Sequence, residues 1–128
     1  MLQVTAAIIL KDNKILITQR APGQILAGKW EFPGGKIELG ETPQQCLQRE
    51  IREELDVDIE VSDFFAESIY TYQNGTIKLM AYWCRWLSGD FNLQVHSKLA
   101  WVNCHEIDLY DFAPADISLV EKLKKVRC

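Results

Sequence analysis

The sequence predicts an α+β fold, in which a mixed β-sheet and two helices form one sandwich domain. The chain has 128 residues, which suits a single domain spanning 1–128, and 48% of them are apolar, which is enough for a core. Strand-like patterns alternate with two stretches of helical period in the order strands, helix, strands, helix. This order is typical of strands and helices packed in layers around one core.

The N-terminal part of the chain predicts a β-hairpin followed by a loop. Val4–Leu10 is rich in β-branched residues and ends at Lys-Asp-Asn, which is a turn signal, and Lys14–Gln19 forms the second strand. Arg20–Lys29 contains one proline and two glycines and is predicted to be a loop. Glu31–Gly35 is predicted to be a short extended piece that ends in a glycine turn.

The first helix is the clearest element of the sequence. Thr42 is a suitable N-cap, Pro43 fits the first helical position, and Gln45 completes a T-x-x-Q capping box. Apolar residues then recur every four positions to about Leu55, which ends the predicted helix. These residues form the buried stripe of the helix and are Leu47, Ile51 and Leu55.

The C-terminal half returns to strands and ends in a second helix. Ser68–Gln73 and Thr76–Leu87 flank Asn-Gly, which is a strong hairpin signal, and the first of these strands is expected to be central in the sheet. Leu99–Val102 is another predicted strand. Ala115–Val126 has apolar residues at helical spacing and follows a proline, so it predicts the second helix.

Charge and composition narrow the classes of function. The formal net charge is −4, which argues against a nucleic acid polymer as partner but is compatible with a small phosphorylated ligand. The N-terminal apolar run is too short for a membrane helix and lacks the features of a signal peptide. The default expectation is therefore a cytoplasmic protein that has no membrane partner.

The four cysteines are scattered along the chain. The gaps between them contain no C-x-x-C pair, and neither a disulfide framework nor a zinc site has a spacing to support it. We therefore expect four free thiols in a reducing compartment, at Cys46, Cys84, Cys104 and Cys128.

Three glutamates crowd one side of the first helix. At about 100° per residue, Glu50, Glu53 and Glu54 share an arc of about 100°. Like charges three and four positions apart repel one another, unless a cation lies among them, and Mg²⁺ prefers such oxygen ligands. A solvated acidic face that Arg49 and Arg52 neutralise is the alternative, and the spacing alone leaves both open.

The residues that precede the helix favour a binding site. Gly34 and Gly35 allow the backbone to pass close to a ligand, and a carbonyl of this loop could face the glutamates. Lys36 follows directly and could hold a phosphate. Phosphate, metal and acidic helix would then form one site.

These residues carry a known signature, the Nudix box G-x5-E-x7-R-E-U-x-E-E-x-G-U, where U is bulky and aliphatic. The box begins at Gly35, continues at Glu41 and ends with REIREELDV over 49–57. Its last glycine is replaced by Asp56. That glycine ordinarily ends the helix in a left-handed turn, and we expect aspartate to keep the turn at some cost in stability.

The chain therefore resembles the Nudix hydrolase family along essentially its whole length. The segment KWEFPGGKIELGETP and the tail FAPADISLVEKL are similar to the MutT branch of the family. The chain resembles most closely the CTP pyrophosphohydrolase subgroup, whose ends carry a P-A-D-I pattern, and next the 8-oxo-dGTP diphosphatase type. The resemblance implies an α/β/α sandwich with a mixed sheet between two helices. It also implies hydrolysis of a nucleoside triphosphate to the monophosphate and pyrophosphate, with Mg²⁺ or Mn²⁺ as cofactor.

The resemblance also implies roles for individual residues. Gly34 would offer a backbone carbonyl to the metal, and Arg49 would orient the carboxylates through salt bridges. The carboxylate ligands would be Glu50, Glu53 and Glu54, with Glu50 or Glu53 as the base.

Substrate contacts follow from the same resemblance. Arg20 and Lys36 would contact the phosphates or the nucleotide. Phe32, Glu31 and Ile25 would belong to the substrate pocket, with Ile25 in the loop that borders the base.

The sequence departs from the MutT branch at two places. A glutamate that often precedes a histidine, as an extra ligand or base, is replaced by Val95, and His96 is a weaker substitute that is expected to be structural. Asp116 stands where 8-oxoguanine-specific members have an asparagine that reads the base. An ionised aspartate suits the amine of cytosine, whereas a protonated one suits an oxidised purine. The alternative is that Asp116 caps the last helix.

Tyrosines 70 and 72 lie two positions apart on a predicted strand, so they share one face. Packing is their expected role, although one of them could stack on a base.

The sequence thus predicts a Mg²⁺-dependent pyrophosphohydrolase of cytidine or modified pyrimidine triphosphates. Hydrolysis of 8-oxo-dGTP is the first alternative. A non-catalytic nucleotide sensor is the second, because the glutamate before His96 is missing. A monomer or a homodimer is expected.

Overall fold

The computed structural model describes residues 1–128 and contains a six-stranded sheet, two α-helices and one 3₁₀ turn. The elements in chain order are β1 (Leu2–Lys11), β2 (Lys14–Arg20), β3 (Trp30–Glu31), α1 (Pro43–Leu55), β4 (Asp58–Tyr72), β5 (Gly75–Ser88), β6 (His96–Val102), the 3₁₀ turn Ile107–Leu109 and α2 (Pro114–Arg127).

The sheet is mixed, as predicted, and runs in the order β3, β2, β1, β5, β4. β1 and β5 are parallel, whereas all other neighbours are antiparallel. β1 pairs with β2 only beside the hairpin turn, and β3 pairs with the far end of β2. β6 lies along the other edge of β2. Because β1 and β2 separate beyond the turn, a gap opens between them in the middle of the sheet.

The sheet lies between the two helices, because alternate residues of β1 point to opposite faces. Ala7 and Ile9 pack in the core that contains the α1 residues Leu47, Ile51 and Leu55. Ala6 and Ile8 belong to the second core, on the other face, which contains α2 residues such as Leu119 and Leu123. The predicted α/β/α sandwich is confirmed.

Both predicted ends of α1 are confirmed. The Thr42 hydroxyl accepts a hydrogen bond from the backbone N–H of Gln45 at 3.1 Å, and the Gln45 side chain accepts one from the Thr42 N–H at 2.9 Å. This is the reciprocal capping box. At the other end Asp56 has φ 61° and ψ 33°, the left-handed conformation for which the Nudix pattern has glycine.

Two strands differ from the prediction. β4 begins at Asp58 rather than Ser68, and it lies at an edge of the sheet rather than in its centre. Its pairing with β5 shifts in register between Val61 and Ala66, which breaks the alternating pattern that the sequence would show in a regular strand. β6 begins at His96 rather than Leu99.

The expectation of four free thiols is wrong for two of the cysteines. Cys46 and Cys84 are free and buried, but Cys104 and Cys128 form a disulfide across a sequence separation of 24 residues. The turn after β6 and the end of α2 meet in the fold, with the two Cα atoms 5.7 Å apart. Sequence spacing does not reveal that meeting.

Neither helix has the length and the apolar character that a membrane span requires.

Candidate active site

Residues 33–36 before α1, called the glycine loop here, lie against the edge of β1 that does not pair with β5. The N–H of Ala7 donates to the carbonyl of Pro33 at 2.7 Å, and the N–H of Thr5 donates to that of Gly35 at 2.8 Å. The carbonyl of Gly34, between them, accepts no hydrogen bond from the protein. Gly34 is therefore the loop residue with a free backbone oxygen, as the resemblance implies for a metal ligand.

Glycine is required at both loop positions because a side chain has no room there, not because of the backbone dihedral angles. A Cβ on Gly34 would overlap the backbone carbonyl of Thr5, and a Cβ on Gly35 would overlap the carboxylate of Glu50. Neither glycine has a positive φ. The loop consequently brings a bare backbone against the acidic face of α1.

Arg49 organises the carboxylates around this loop. Its guanidinium contacts Glu41 at 2.6 Å, Glu50 at 2.7 Å and Glu53 at 3.3 Å, and it donates to the carbonyl of Lys36 at 3.2 Å. The hydrogen bonds from Arg49 lower the pKa of Glu41 to about 2. The orienting role that the resemblance implies for Arg49 thus has a direct geometric basis, although Arg49 does not itself line the cavity described below.

Among the carboxylates of α1, Glu54 has the fewest neighbouring groups that stabilise its negative charge. Its Oε1 is buried and has no hydrogen-bond partner. Burial, and next the charge of Glu50, raise the pKa of Glu54 to about 8. Burial also raises the pKa of Glu50, although Arg49 opposes that effect. A divalent cation would supply the missing partner for the Glu54 oxygen, so the residues present fit such an ion.

Glu53 differs from its neighbours. Its side chain is 58% exposed and contacts Arg49, and it does not line the cavity that Glu50 and Glu54 border. The structure therefore brings together two of the three predicted carboxylate ligands and leaves Glu53 at the rim.

A cavity of about 710 Å³ extends from these carboxylates to α2. Its lining includes Glu50 and Glu54 of α1, on one face of the sheet, and Ala115 and Asp116 of α2, on the other. Nine of the predicted site residues line it, namely Arg20, Ile25, Glu31, Phe32, Gly34, Lys36, Glu50, Glu54 and Asp116. Its volume lies within the range of small-molecule sites.

Asp116 lies at the α2 end of the cavity and is 5% exposed. Its Oδ1 accepts a hydrogen bond from the N–H of Phe32 at 3.0 Å, which leaves Oδ2 for a ligand. Burial, and next the charge of Glu31, raise the pKa of Asp116 well above its ordinary value. Asp116 does not act as the N-cap of α2, because that position is Ala113.

Arg20, Glu31 and His96 form a chain of contacts beside the cavity. Glu31 bonds to Arg20 at 3.1 Å through one oxygen and to Nε2 of His96 at 2.9 Å through the other. Arg20 also donates to the carbonyl of Ile25 at 2.6 Å, which ties the exposed loop to the chain of contacts. His96 is buried and does not line the cavity, so its expected structural role agrees with its position.

Sequence reasoning missed or undervalued several residues of the cavity. Tyr72, for which packing was expected, lines it, and its hydroxyl accepts a hydrogen bond from the N–H of Ala115 at 3.0 Å. Tyr72 also packs on Tyr70 with ring centroids 4.7 Å apart. Val4 and Thr5 of β1 line the cavity as well. Their apolar or β-branched side chains look like ordinary strand residues, so no signal in the sequence marked them.

The arrangement defines a class of protein: an α/β/α sandwich in which a glycine loop and an acidic helix close one end of a ligand-sized cavity. The chain belongs to the Nudix family, since the family pattern described as NUDIX domain matches residues 4–122.

Individual relatives agree with this membership. The chain is 39% identical over 127 residues to the CTP pyrophosphohydrolase of Escherichia coli K12, covering 99% of this chain and 94% of that one. It is 34% identical to the 8-oxo-dGTP diphosphatase of the same organism, covering 98% of each. The solution structure of the E. coli ORF135 protein superposes with a TM-score of 0.86 at 37% identity, covering 100% of this chain and 91% of that one.

Proposed function

We propose that this protein hydrolyses nucleoside triphosphates to the monophosphate and pyrophosphate with Mg²⁺ or Mn²⁺ as cofactor. The observation that carries the proposal is the continuous cavity, which extends from the carboxylates of α1 to Asp116 and Ala115 of α2. A nucleotide would use both ends of the cavity, because its phosphates require cations, at the α1 end, and its base requires apolar surface, at the α2 end. Both E. coli relatives are named as enzymes that act on such nucleotides. The nucleotide is the proposed partner, for a monomer or a homodimer.

Glu50, Glu54 and the carbonyl of Gly34 would hold the metal, with Glu53 joining them from the rim. When bound, the metal neutralises phosphate charge and lowers the pKa of coordinated water. Arg49 keeps the Glu50 carboxylate in place by its 2.7 Å contact. Glu50 or Glu53 accepts the proton of the attacking water.

Arg20 and Lys36 supply positive charge from the protein itself. Both line the cavity, and they border it together with the glycine loop and the helix carboxylates. Phosphoryl transfer depends on charge neutralisation and in-line positioning more than on covalent catalysis. These two cations would therefore bind the phosphate chain and orient the bond that breaks.

Cytidine or modified cytosine nucleotides are the proposed substrates. Phe32 and Tyr72 provide aromatic surface beside Asp116, whose Oδ2 has no protein partner. An ionised Asp116 would accept a hydrogen bond from the exocyclic amine of cytosine.

A second candidate substrate, 8-oxo-dGTP, is supported by the burial of Asp116. Because burial raises the pKa of this carboxyl group, the protonated form persists to higher pH than it does in an exposed aspartate. The protonated group donates a hydrogen bond, which an acceptor atom of an oxidised purine would receive.

The test is pyrophosphate release from CTP, dCTP, 5-methyl-dCTP, dGTP, 8-oxo-dGTP and ATP, each with Mg²⁺ and with chelator. The expected result is metal-dependent release that is fastest with the cytosine nucleotides. A preference for 8-oxo-dGTP would select the second candidate. Metal-dependent binding of these nucleotides, without pyrophosphate release from any of the six, would overturn the assignment as an enzyme and indicate a nucleotide sensor.

A further inference from the structure

A second group of ligand atoms lies outside the cavity, at the end of α2. The sulfurs of Cys104 and Cys128 and a ring nitrogen of His105 all lie within 4.8 Å of one another. The fold brings no other three His, Cys, Asp or Glu side chains together with their ligand atoms within that distance. None of the three lines the cavity, so the proposed nucleotide chemistry does not explain them.

The backbone holds both halves of this group in place. The side-chain oxygen of Asn103 accepts hydrogen bonds from the N–H of His105 at 2.9 Å and of Glu106 at 3.0 Å, which fixes the turn after β6. The N–H of Cys128 donates to the carbonyl of Lys124 at 3.1 Å and continues the helical pattern of α2. None of these hydrogen bonds involves the two sulfurs.

We propose that, in the dithiol state, Cys104, Cys128 and His105 bind a thiophilic divalent cation of the Zn²⁺ class. A dithiol or phosphine reductant supplies the two electrons that break the sulfur–sulfur bond, and two protons complete the thiols. Binding of the cation then releases one proton from each thiol. The resulting ligand set has two thiolates and one imidazole, which suits zinc with one open position for water.

The surroundings favour this site over the rest of the chain. Cys104 is half-buried, whereas Cys128 and His105 are exposed, so solvent and ions reach the group. The other two cysteines are buried, and burial raises the pKa of their thiols. The two cations that border Cys104 already have partners, because Lys124 contacts Asp108 at 2.8 Å and Arg127 donates to the side-chain oxygen of Asn13.

The donor atoms separate this site from the one at α1. The proposed nucleotide site offers oxygen atoms, which suit Mg²⁺ or Mn²⁺, whereas the cysteine group offers sulfur and nitrogen. The two sites therefore differ in the cation they prefer and in the optical signature of a bound Co²⁺, since only thiolates give sulfur-to-cobalt charge-transfer absorption.

The experiment titrates the full chain with Co²⁺ and then Zn²⁺, in a phosphine-reduced sample and in an oxidised sample. The reduced protein should show thiolate charge-transfer absorption at one Co²⁺ per chain, and Zn²⁺ should abolish it. Each bound Zn²⁺ should release about two protons below the thiol pKa. The oxidised protein should show neither effect.

Three variants of the proposed ligands and one control variant make the test specific. Cys104→Ser and Cys128→Ser should abolish the charge-transfer signal, and His105→Ala should weaken binding about tenfold or more. Cys84→Ala removes a cysteine elsewhere and should bind as the parent does. The same Co²⁺ spectrum in the Cys128→Ser variant, or no thiolate signal in the reduced parent, would overturn the proposal. Unchanged circular dichroism would show that each variant is folded.

Discussion

At the residue scale, two adjacent glutamates of α1 have different environments. Glu54 has a buried oxygen without a partner and a pKa raised to about 8, whereas the side chain of Glu53 is exposed and contacts Arg49. A cation that enters the site would therefore gain most from Glu54. Glu53 would act from the rim, through Arg49 or through a ligand that approaches from solvent.

Replacement of Glu54 by Gln should reduce turnover by two or more orders of magnitude, because the amide neither carries charge nor binds Mg²⁺ well. Glu53→Gln should also reduce it by orders of magnitude if Glu53 completes the metal site or acts as the base. Steady-state pyrophosphate release measures both.

The exposed Glu60→Gln on β4 is the matched control and should have parental turnover. Near-parental turnover in both helix variants would remove the assignment of the metal site to this face.

Asp116 predicts a dependence of stability on pH. Its folded pKa lies above its unfolded value, so the folded chain binds more protons in that interval and the free energy of unfolding falls as pH rises through it. Asp116→Asn retains an oxygen for the Phe32 N–H and cannot ionise. The variant should be more stable than the parent at pH 8, with a smaller difference at pH 4.

Urea unfolding of the metal-free proteins at both pH values measures this difference. Comparison of the two proteins at each pH cancels the contribution of Glu54, which has the same sign. A stability difference that does not change with pH would mean that Asp116 is not desolvated in the folded protein.

At the scale of elements, α1 is determined by its own residues. The capping box at Thr42, the proline after it and the spacing of apolar residues specify its beginning and its buried face locally, and the structure agrees with all of them. β4 is different, because its pairing with β5 is irregular and its edge position depends on the whole sheet. Local sequence cannot specify such a strand.

The site residues likewise divide into those that the local sequence identifies and those that only the assembled fold brings together. The glycine loop, Arg49 and the helix glutamates lie in one short segment of the sequence, from Gly34 to Glu54, and their box pattern revealed them. Tyr72 and Thr5 come from strands that the fold brings to the loop, so only the assembled sheet shows that they line the cavity. The disulfide also depends on tertiary structure, because it joins a turn to a helix end.

Asp56→Gly should stabilise the protein by about 1 kcal/mol, because glycine adopts the left-handed turn at φ 61° without the steric cost of a Cβ. Removal of a negative charge from the C-terminus of α1 adds to the gain. Chemical denaturation measures the change.

Gln48→Gly, at an exposed position inside the same helix, is the control of opposite sign and should lose about 1 kcal/mol. A loss of stability in Asp56→Gly would show that the aspartate side chain contributes to the turn.

At the scale of the whole molecule, the disulfide ties the end of α2 to the turn after β6 and closes a loop of 24 residues. The helix carries Asp116 at its other end, so this covalent link supports the helix that forms the pocket at its opposite turn.

Reduction should lower the free energy of unfolding by about 3 kcal/mol, the loop-closure entropy expected for a loop of this length. Urea unfolding with and without a phosphine reductant, both in the presence of chelator, measures the effect without metal binding. The Cys104→Ser, Cys128→Ser double variant should have the free energy of unfolding of the reduced parent, and the reductant should not change it. Equal stability of the oxidised and reduced parent would contradict the stabilising role.

The parallel pairing of β1 with β5 has a consequence for synthesis on the ribosome. Leu2 pairs with Ile77 and Ile9 pairs with Cys84, so the first strand to emerge waits for one that is made about 75 residues later. Until then β1 can make only its short hairpin contact with β2 and its hydrogen bonds to the glycine loop. At that stage α1 already has its local caps, but the sheet that it covers is unfinished. The nascent chain consequently completes its central sheet late, and a ribosome that stalls before Cys84 would present an apolar strand with one unpaired edge to chaperones.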